Sequence, residues 1–181
     1  MNQQEIVKNF RDLGESVNSL AGEQLIPEKA IYRGGRLNGV FSHYEILNIP
    51  TVLNLRSGPD DKLFNCNYLH VPAENRFENY NTANGRTKKW VNTVFKCFLR
   101  EDTKLPIFIH CTSGKDRTGV ICAVILKCFD IPDDIIIQEY LLSDGVDNSH
   151  PIKQALMGID NIHNYLKGDC AARIKQKILK L

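Results

Sequence analysis

The sequence predicts an α/β layer fold, with a central, mostly parallel sheet of four to five strands flanked by helices. Three observations predict it. Short apolar or alternating runs at residues 29–34, 51–56, 67–71 and 106–110 have strand length and β-prone composition. Residues 87–99 and 117–128 carry apolar residues at helical spacing or almost without interruption. From Pro132 onward the pattern is helical throughout. Strands alternating with helices, then helices alone, give a sheet covered by helical layers.

Taken in order, residues 7–13 and 29–34 read as short strands flanking a loop rich in Ser, Asn and Gly. Asn38 is placed to cap a helix running through Leu47, stopped by Pro50. Strands follow at 51–56 and 67–71, then a polar, Asn- and Gly-rich loop over 75–87. Trp90, Val91, Val94, Phe95, Phe98 and Leu99 mark an amphipathic helix over 87–99. The 106–110 run is the most apolar strand, as a central strand would be. Pro132 suits the first position of a further helix, and residues 151–166 and 169–180 supply two more.

Composition narrows the class. A chain of 181 residues with 43% hydrophobic and 24% charged residues suits one globular domain spanning 1–181. A net charge of +2, with no basic stripe interleaved by aromatics, argues against a nucleic-acid partner. No apolar run approaches membrane-spanning length. The first residues lack a charged and then apolar leader, which implies a cytoplasmic protein; an exported effector stays open as the alternative. The six cysteines are scattered without a Cys-x-x-Cys pair, implying reduced thiols. The final helix sets Arg173, Lys175, Lys177 and Lys180 against Ile174, Ile178, Leu179 and Leu181. Its apolar side is expected to pack on the domain, with peripheral contact to an anionic membrane as the alternative.

The chemistry concentrates in His110-Cys111-Thr112-Ser113-Gly114-Lys115-Asp116-Arg117-Thr118-Gly119. A strand delivers Cys111 to the start of a loop that closes onto a helix N-terminus. Unpaired N–H groups and the positive dipole end favour an anion there. Gly114 lets backbone approach that anion closely. Arg117, six residues after Cys111, supplies a planar fork matched to two phosphate oxygens. A positive side chain at a helix start opposes the dipole, so it wants an anion nearby. Helix N-termini and cations also favour the thiolate, the nucleophilic form of cysteine. Thr112, Ser113, Gly114, Lys115, Asp116 and Arg117 thus form a candidate cradle for a tetrahedral dianion above Cys111.

This run resembles the signature loop of the protein tyrosine phosphatase superfamily, in the branch with Lys-Asp before the arginine. That branch includes bacterial tyrosine phosphatases with reported activity on phosphoinositides as well as phosphoproteins. Asn9-Phe10-Arg11-Asp12-Leu13-Gly14, Ile31-Tyr32-Arg33-Gly34-Gly35-Arg36-Leu37 and Thr51-Val52-Leu53-Asn54-Leu55-Arg56-Ser57 are similar to its upstream segments. The likeness covers roughly residues 8 to 145; Glu15 departs from the second glycine common after the first segment.

The resemblance implies the same α/β architecture and hydrolysis of phosphate monoesters through a phosphocysteine, with no metal or cofactor. Cys111 would be the nucleophile and Arg117 the transition-state clamp. Thr118 would offer its hydroxyl to the sulfur or serve only the helix start. His110 would brace the loop. Many relatives take a general acid from an upstream loop, here Pro72-Ala73-Glu74-Asn75-Arg76-Phe77-Glu78, which has no Asp. Asp116 is therefore the expected acid, with Glu74 and Glu78 as alternatives. Lys115, and cations such as Arg33, Arg36, Arg56, Arg76, Arg86, Lys88 and Lys89, would border the pocket. A phosphotyrosine or dual-specificity protein substrate is the leading expectation. The alternatives are a phosphoinositide or inositol phosphate, a non-catalytic phosphate-binding module and a sulfurtransferase; oligomeric state is unassigned.

Overall fold

The structure, a computed structural model, describes residues 3–61, 64–73 and 78–181. Five strands form one sheet: β1 (Arg11–Asp12), β2 (Ile31–Gly34), β3 (Thr51–Asn54), β4 (Asn67–His70) and β5 (Ile107–His110). Their order is β1-β2-β5-β3-β4, with only the β1–β2 pair antiparallel. β5 lies between β2 and β3, Ile109 facing Arg33 on one side and Leu53 on the other. Parallel strands buried on both faces read as unbroken apolar runs, and Ile107-Phe108-Ile109 is fully buried.

Eight helices accompany the sheet among the described residues: α1 (Gln3–Ile6), α2 (Leu13–Ala21), α3 (Gly85–Phe98), α4 (Asp116–Cys128), α5 (Asp133–Leu141), α6 (His150–Gly158), α7 (Ile162–Tyr165) and α8 (Cys170–Leu179). Side chains alternate across a strand, so β5 feeds two cores. Ile107 and Ile109 join the larger one with residues of α3, α4 and α8, while Phe108 meets Val7, Phe10, Val40 and Ile46 in the smaller one. α4 runs through the larger core, its Val120, Ile121, Val124 and Ile125 fully buried. α8 buries Ile174 and Ile178 on the domain, and Lys175 bonds Asp130 across it. No helix among the described residues is long and apolar enough to cross a membrane.

Four local expectations need correction. Residues 13–21, expected as loop, form α2. Asp12 caps it, accepting from the N–H groups of Gly14 (2.9 Å) and Glu15 (3.4 Å), and Gly22 at φ 72° closes it. The Asn18 side chain bonds Leu25 N, Ile26 N and Ile26 O, tying the helix to the chain that follows. The expected helix over 38–47 shrinks to a 3₁₀ turn at His43–Ile46. Phe41, Tyr44 and Leu47 are exposed and only Val40 and Ile46 are buried, too few for the apolar stripe of a longer helix. Residues 151–166 divide into α6 and α7, because the Asn161 side chain accepts from Asn164 N and starts a new turn. Pro132 lies one place before α5 rather than at its first position.

Candidate active site

Chain direction puts Cys111 where β5 ends and α4 begins. It lies at the carboxyl edge of a parallel sheet, where such folds bind ligands. The thiol is buried, at 1% exposure. Three consecutive carbonyls of the next residues are held from outside the loop. Thr112 O accepts from Arg36 N (3.1 Å), Ser113 O from Asn9 Nδ2 (2.8 Å) and Gly114 O from Arg33 Nη2 (2.9 Å). In a trans peptide the N–H points opposite to the C=O. Anchoring the carbonyls outward therefore turns the N–H groups of Ser113, Gly114 and Lys115 inward. Among the described residues, no backbone N–H from Ser113 to Arg117 makes a hydrogen bond. Orphaned N–H groups on one concave backbone segment are an anion site.

Gly114 is required twice over. Its φ of 71° suits a residue without Cβ, and a Cβ there would lie 2.4 Å from Gly34 C and 2.7 Å from Gly35 N. The Gly34-Gly35 pair and Gly114 are thus matched surfaces.

The cations near the loop divide by partner. Arg33, fully buried, pairs with Glu139, which also takes Arg11 Nε at 2.9 Å; Arg11 Nη2 reaches Ser143 Oγ at 2.9 Å. Burial works against the charge on Arg33, but Glu139 outweighs it and holds the guanidinium above its ordinary range. Arg117 differs. It spends Nη1 on Leu55 O (3.1 Å) and has no carboxylate partner among the described residues, leaving most of its donors uncommitted. Arg36 is exposed beside Thr112, also without a carboxylate partner. Lys115 Nζ is held by Gly145 O at 3.0 Å. Arg56 is committed to Asp60 at 2.8 Å. Lys88 and Lys89 line a groove of about 730 Å³ with Lys96, Lys167 and Arg173, away from every residue of the loop. Arg86 borders a second groove with Trp90. Arg76 lies outside the described residues.

His110 turns away from Cys111 and stacks on Phe108, ring centroids 5.3 Å apart. Its Nε2 is 2.9 Å from Asp60 Oδ2, both side chains buried. Burial pushes the Asp60 carboxyl up, but His110, Tyr68 and Arg56 outweigh it and hold it below the ordinary range. A carboxyl depressed in the folded state adds stability above its unfolded value, near pH 4, and loses it as pH falls through the folded value. The stability advantage of wild type over Asp60→Asn is therefore expected at pH 6 and should shrink below about pH 4. Urea melts at both ends would show it; an advantage unchanged at pH 3 would sink this account.

Asp116 opens α4, and its Oδ1 accepts from the Tyr80 hydroxyl at 2.6 Å. That hydroxyl is 2.7 Å from the Tyr140 hydroxyl, and Lys115 Nζ is 3.9 Å from Oδ1. The Thr118 hydroxyl is buried and has no hydrogen-bond partner among the described residues. Glu78 is exposed, its carboxylate turned to Tyr80 N at 3.3 Å, and Glu74 lies outside the described residues. Other thiols sit in ordinary burial: Cys122 is pushed up to about 11 and Cys128 to about 12. The loop's outer anchors lie in the N-terminal segments singled out by resemblance. Glu139 and Tyr140 lie in the stretch from Asp130 to Leu142 that resembles the family's helix pair after the loop, but neither was read as a site residue, and Tyr80 carried no signal; spacing gives no hint that they converge here.

A buried thiol heads a loop whose N–H groups make no hydrogen bond among the described residues, and Arg117 keeps most of its donors; such an arrangement is chemically able to hold a phosphate ester. Residues 3–167 match the tyrosine phosphatase family, and the chain belongs to that family. The triple specificity protein phosphatase PtpB of Mycobacterium tuberculosis is 41% identical over 39 residues, 22% of this chain and only 14% of that protein. Among solved structures, the core catalytic domain of the PP-IP phosphatase SIW14 from S. cerevisiae superposes with a TM-score of 0.58 at 20% identity. The match covers 77% of this chain and 89% of that one. TpbA of P. aeruginosa gives 0.52 at 14% identity, covering 76% and 84%. At these identities the two structures establish the fold alone.

Proposed function

We propose that the protein is a cysteine-dependent phosphatase for phosphate monoesters, acting as a single domain on phosphotyrosine or dual-specificity protein substrates. The observation that carries this is the row of N–H groups from Ser113 to Arg117, unpaired among the described residues and following Cys111, together with Arg117, which has no carboxylate partner among them. The Cys111 thiolate attacks phosphorus, the ester oxygen leaves with a proton from Asp116, and a phosphocysteine forms. Water then attacks phosphorus, gives its proton to solvent, and phosphate leaves as the thiolate is restored. Arg117 and the inward N–H groups hold the equatorial oxygens through both steps. The Thr118 hydroxyl, buried and with no hydrogen-bond partner among the described residues, is suited to donate to the departing sulfur. His110, fixed by Asp60, braces the strand end that presents Cys111.

A second reading has one supporting observation. Arg36, exposed and without a carboxylate partner among the described residues, joins the loop through its backbone, so a second phosphoryl group on the substrate would meet a cation there. This favours an inositol phosphate or phosphoinositide.

The test is phosphate release, with chelator present, from a phosphotyrosine peptide, an alkyl phosphate, phosphoinositides and an activated aryl phosphate. Preference among them chooses between the two readings. Asp116→Asn is expected to slow poor leaving groups by roughly 10²- to 10³-fold and to spare the activated aryl ester. Equal losses on all esters would remove Asp116 from the acid role. Bound phosphate without turnover of any ester would favour a binding module.

A further inference from the structure

The acid assigned to Asp116 has a built support that involves neither the substrate nor the rest of the loop. Tyr80 is nearly buried, at 8% exposure, and Tyr140 is at 2%. Their rings meet edge to face with centroids 6.2 Å apart. The Tyr80 hydroxyl has one proton. An ionised Asp116 only accepts, so Tyr80 donates to Oδ1 and Tyr140 donates to Tyr80. The chain of hydroxyls is thereby directed toward the carboxylate. Oδ2 has no hydrogen-bond partner among the described residues.

The segment bearing Tyr80 is fixed in place. Thr82, fully buried, donates from Oγ1 to Ala155 O at 2.6 Å, and a Cβ on Gly158 would lie 2.1 Å from that Oγ1. Asn81 N and Thr87 Oγ1 both donate to Glu78 O. On the other side, a Cβ on Gly119 would meet the Tyr140 ring at 3.0 Å. The last glycine of the signature run thus makes room for the second tyrosine. Two separate elements are linked to one carboxylate oxygen, the 78–84 segment directly through Tyr80 and α5 through the Tyr140 hydroxyl behind it.

We propose that Tyr80, backed by Tyr140, is the positioning residue for Asp116. By occupying Oδ1, it leaves the transferable proton on Oδ2 and fixes the carboxyl plane against the leaving oxygen. This rests on the reading of Asp116 as the acid. A flexible side chain about 40% exposed would otherwise sample several rotamers, and proton transfer demands a set geometry. A residue that acts only through the acid matters in proportion to how much the leaving group needs a proton.

The experiment compares wild type, Tyr80→Phe, Tyr140→Phe, Asp116→Asn and Asp116→Asn/Tyr80→Phe on an alkyl phosphate and on an activated aryl phosphate. Tyr80→Phe is expected to lower kcat on the alkyl ester about tenfold, the scale of one charge-assisted hydrogen bond, with KM within twofold. Tyr140→Phe should give a smaller loss of the same kind, and the aryl ester should be unaffected by either. In the Asp116→Asn background Tyr80→Phe should add no further loss. Equal losses on both esters, or a further loss in that background, would show a merely structural role and overturn the proposal. No loss at all would do the same. If Tyr80→Phe does not fold, Tyr140→Phe carries the same comparison. If Asp116→Asn itself does not discriminate the esters, the acid reading fails, a result distinct from failure of Tyr80 alone.

Discussion

Cys111→Ser is expected to abolish phosphate release from every ester while phosphate still binds. The two outcomes separate because they depend on different atoms. Binding rests on the N–H groups of Ser113 to Arg117 and on the Arg117 fork, none of which the substitution touches. Attack needs an ionised nucleophile. A serine hydroxyl in the same place stays protonated at neutral pH, and no histidine lies beside it to take its proton, since His110 turns away and faces Asp60. Replacing sulfur by the smaller oxygen removes little volume from the buried packing at residue 111. The turnover loss should be on the order of 10⁴-fold or more, as when other enzymes lose their nucleophile. Inorganic phosphate or vanadate affinity should stay within a few-fold, read by calorimetry. Turnover within tenfold of wild type would remove the phosphocysteine from the mechanism. Loss of binding together with turnover would mean that the variant had disturbed the loop, and the thermal melt would show it.

The strand, loop and helix start from Ile107 to Gly119 were legible because they are contiguous, each with its own local signal. A β-branched run reads as a buried strand, and an unbroken apolar stretch reads as a buried helix. α2 carried a signal that was outweighed: Asp12 followed three places on by Glu15 is a helix-start pattern. The Ser and Asn residues beside it favour turns only when solvent-facing, and Asn18 is buried and bonded. What brings distant residues together was not legible. Tyr80 and Tyr140 are sixty residues apart, and Asn9 reaches Ser113 and Asp144 from the far end of the chain. Such contacts have no period, so no spacing in the sequence announces them. The cations illustrate the same limit: Arg33 and Arg117 look alike as letters, but one is committed to a buried carboxylate and the other, bonded to Leu55 O, has no carboxylate partner among the described residues.

Glu139 makes that difference, and Glu139→Ala is expected to destabilise the protein by about 3–5 kcal/mol. One carboxylate, 1% exposed, answers two guanidiniums, Arg33 at 0% and Arg11 close by. Removing it strands a fully buried positive charge, whereas cutting an exposed pair strands nothing. For a domain of this size the melting temperature should fall by on the order of 10 °C. Asp102→Ala, which breaks the exposed Arg100–Asp102 pair, is the control and should leave the melt unchanged. Matching melts for the two variants would overturn this reading of the network. Function supplies the reason such a network persists. Buried ion pairs are often no more stabilising than apolar residues of similar size, so stability alone does not explain it. Arg33 must keep its guanidinium charged and fixed so that Nη2 can hold Gly114 O outward. Without Glu139 that carbonyl is released and its peptide N–H is free to turn out of the cradle. Folded Glu139→Ala, assayed well below its melting temperature, should therefore also bind phosphate more weakly than wild type. Glu139→Gln, which keeps one accepting oxygen but loses the charge and turns an NH2 toward the other guanidinium, should fall between them on both measurements.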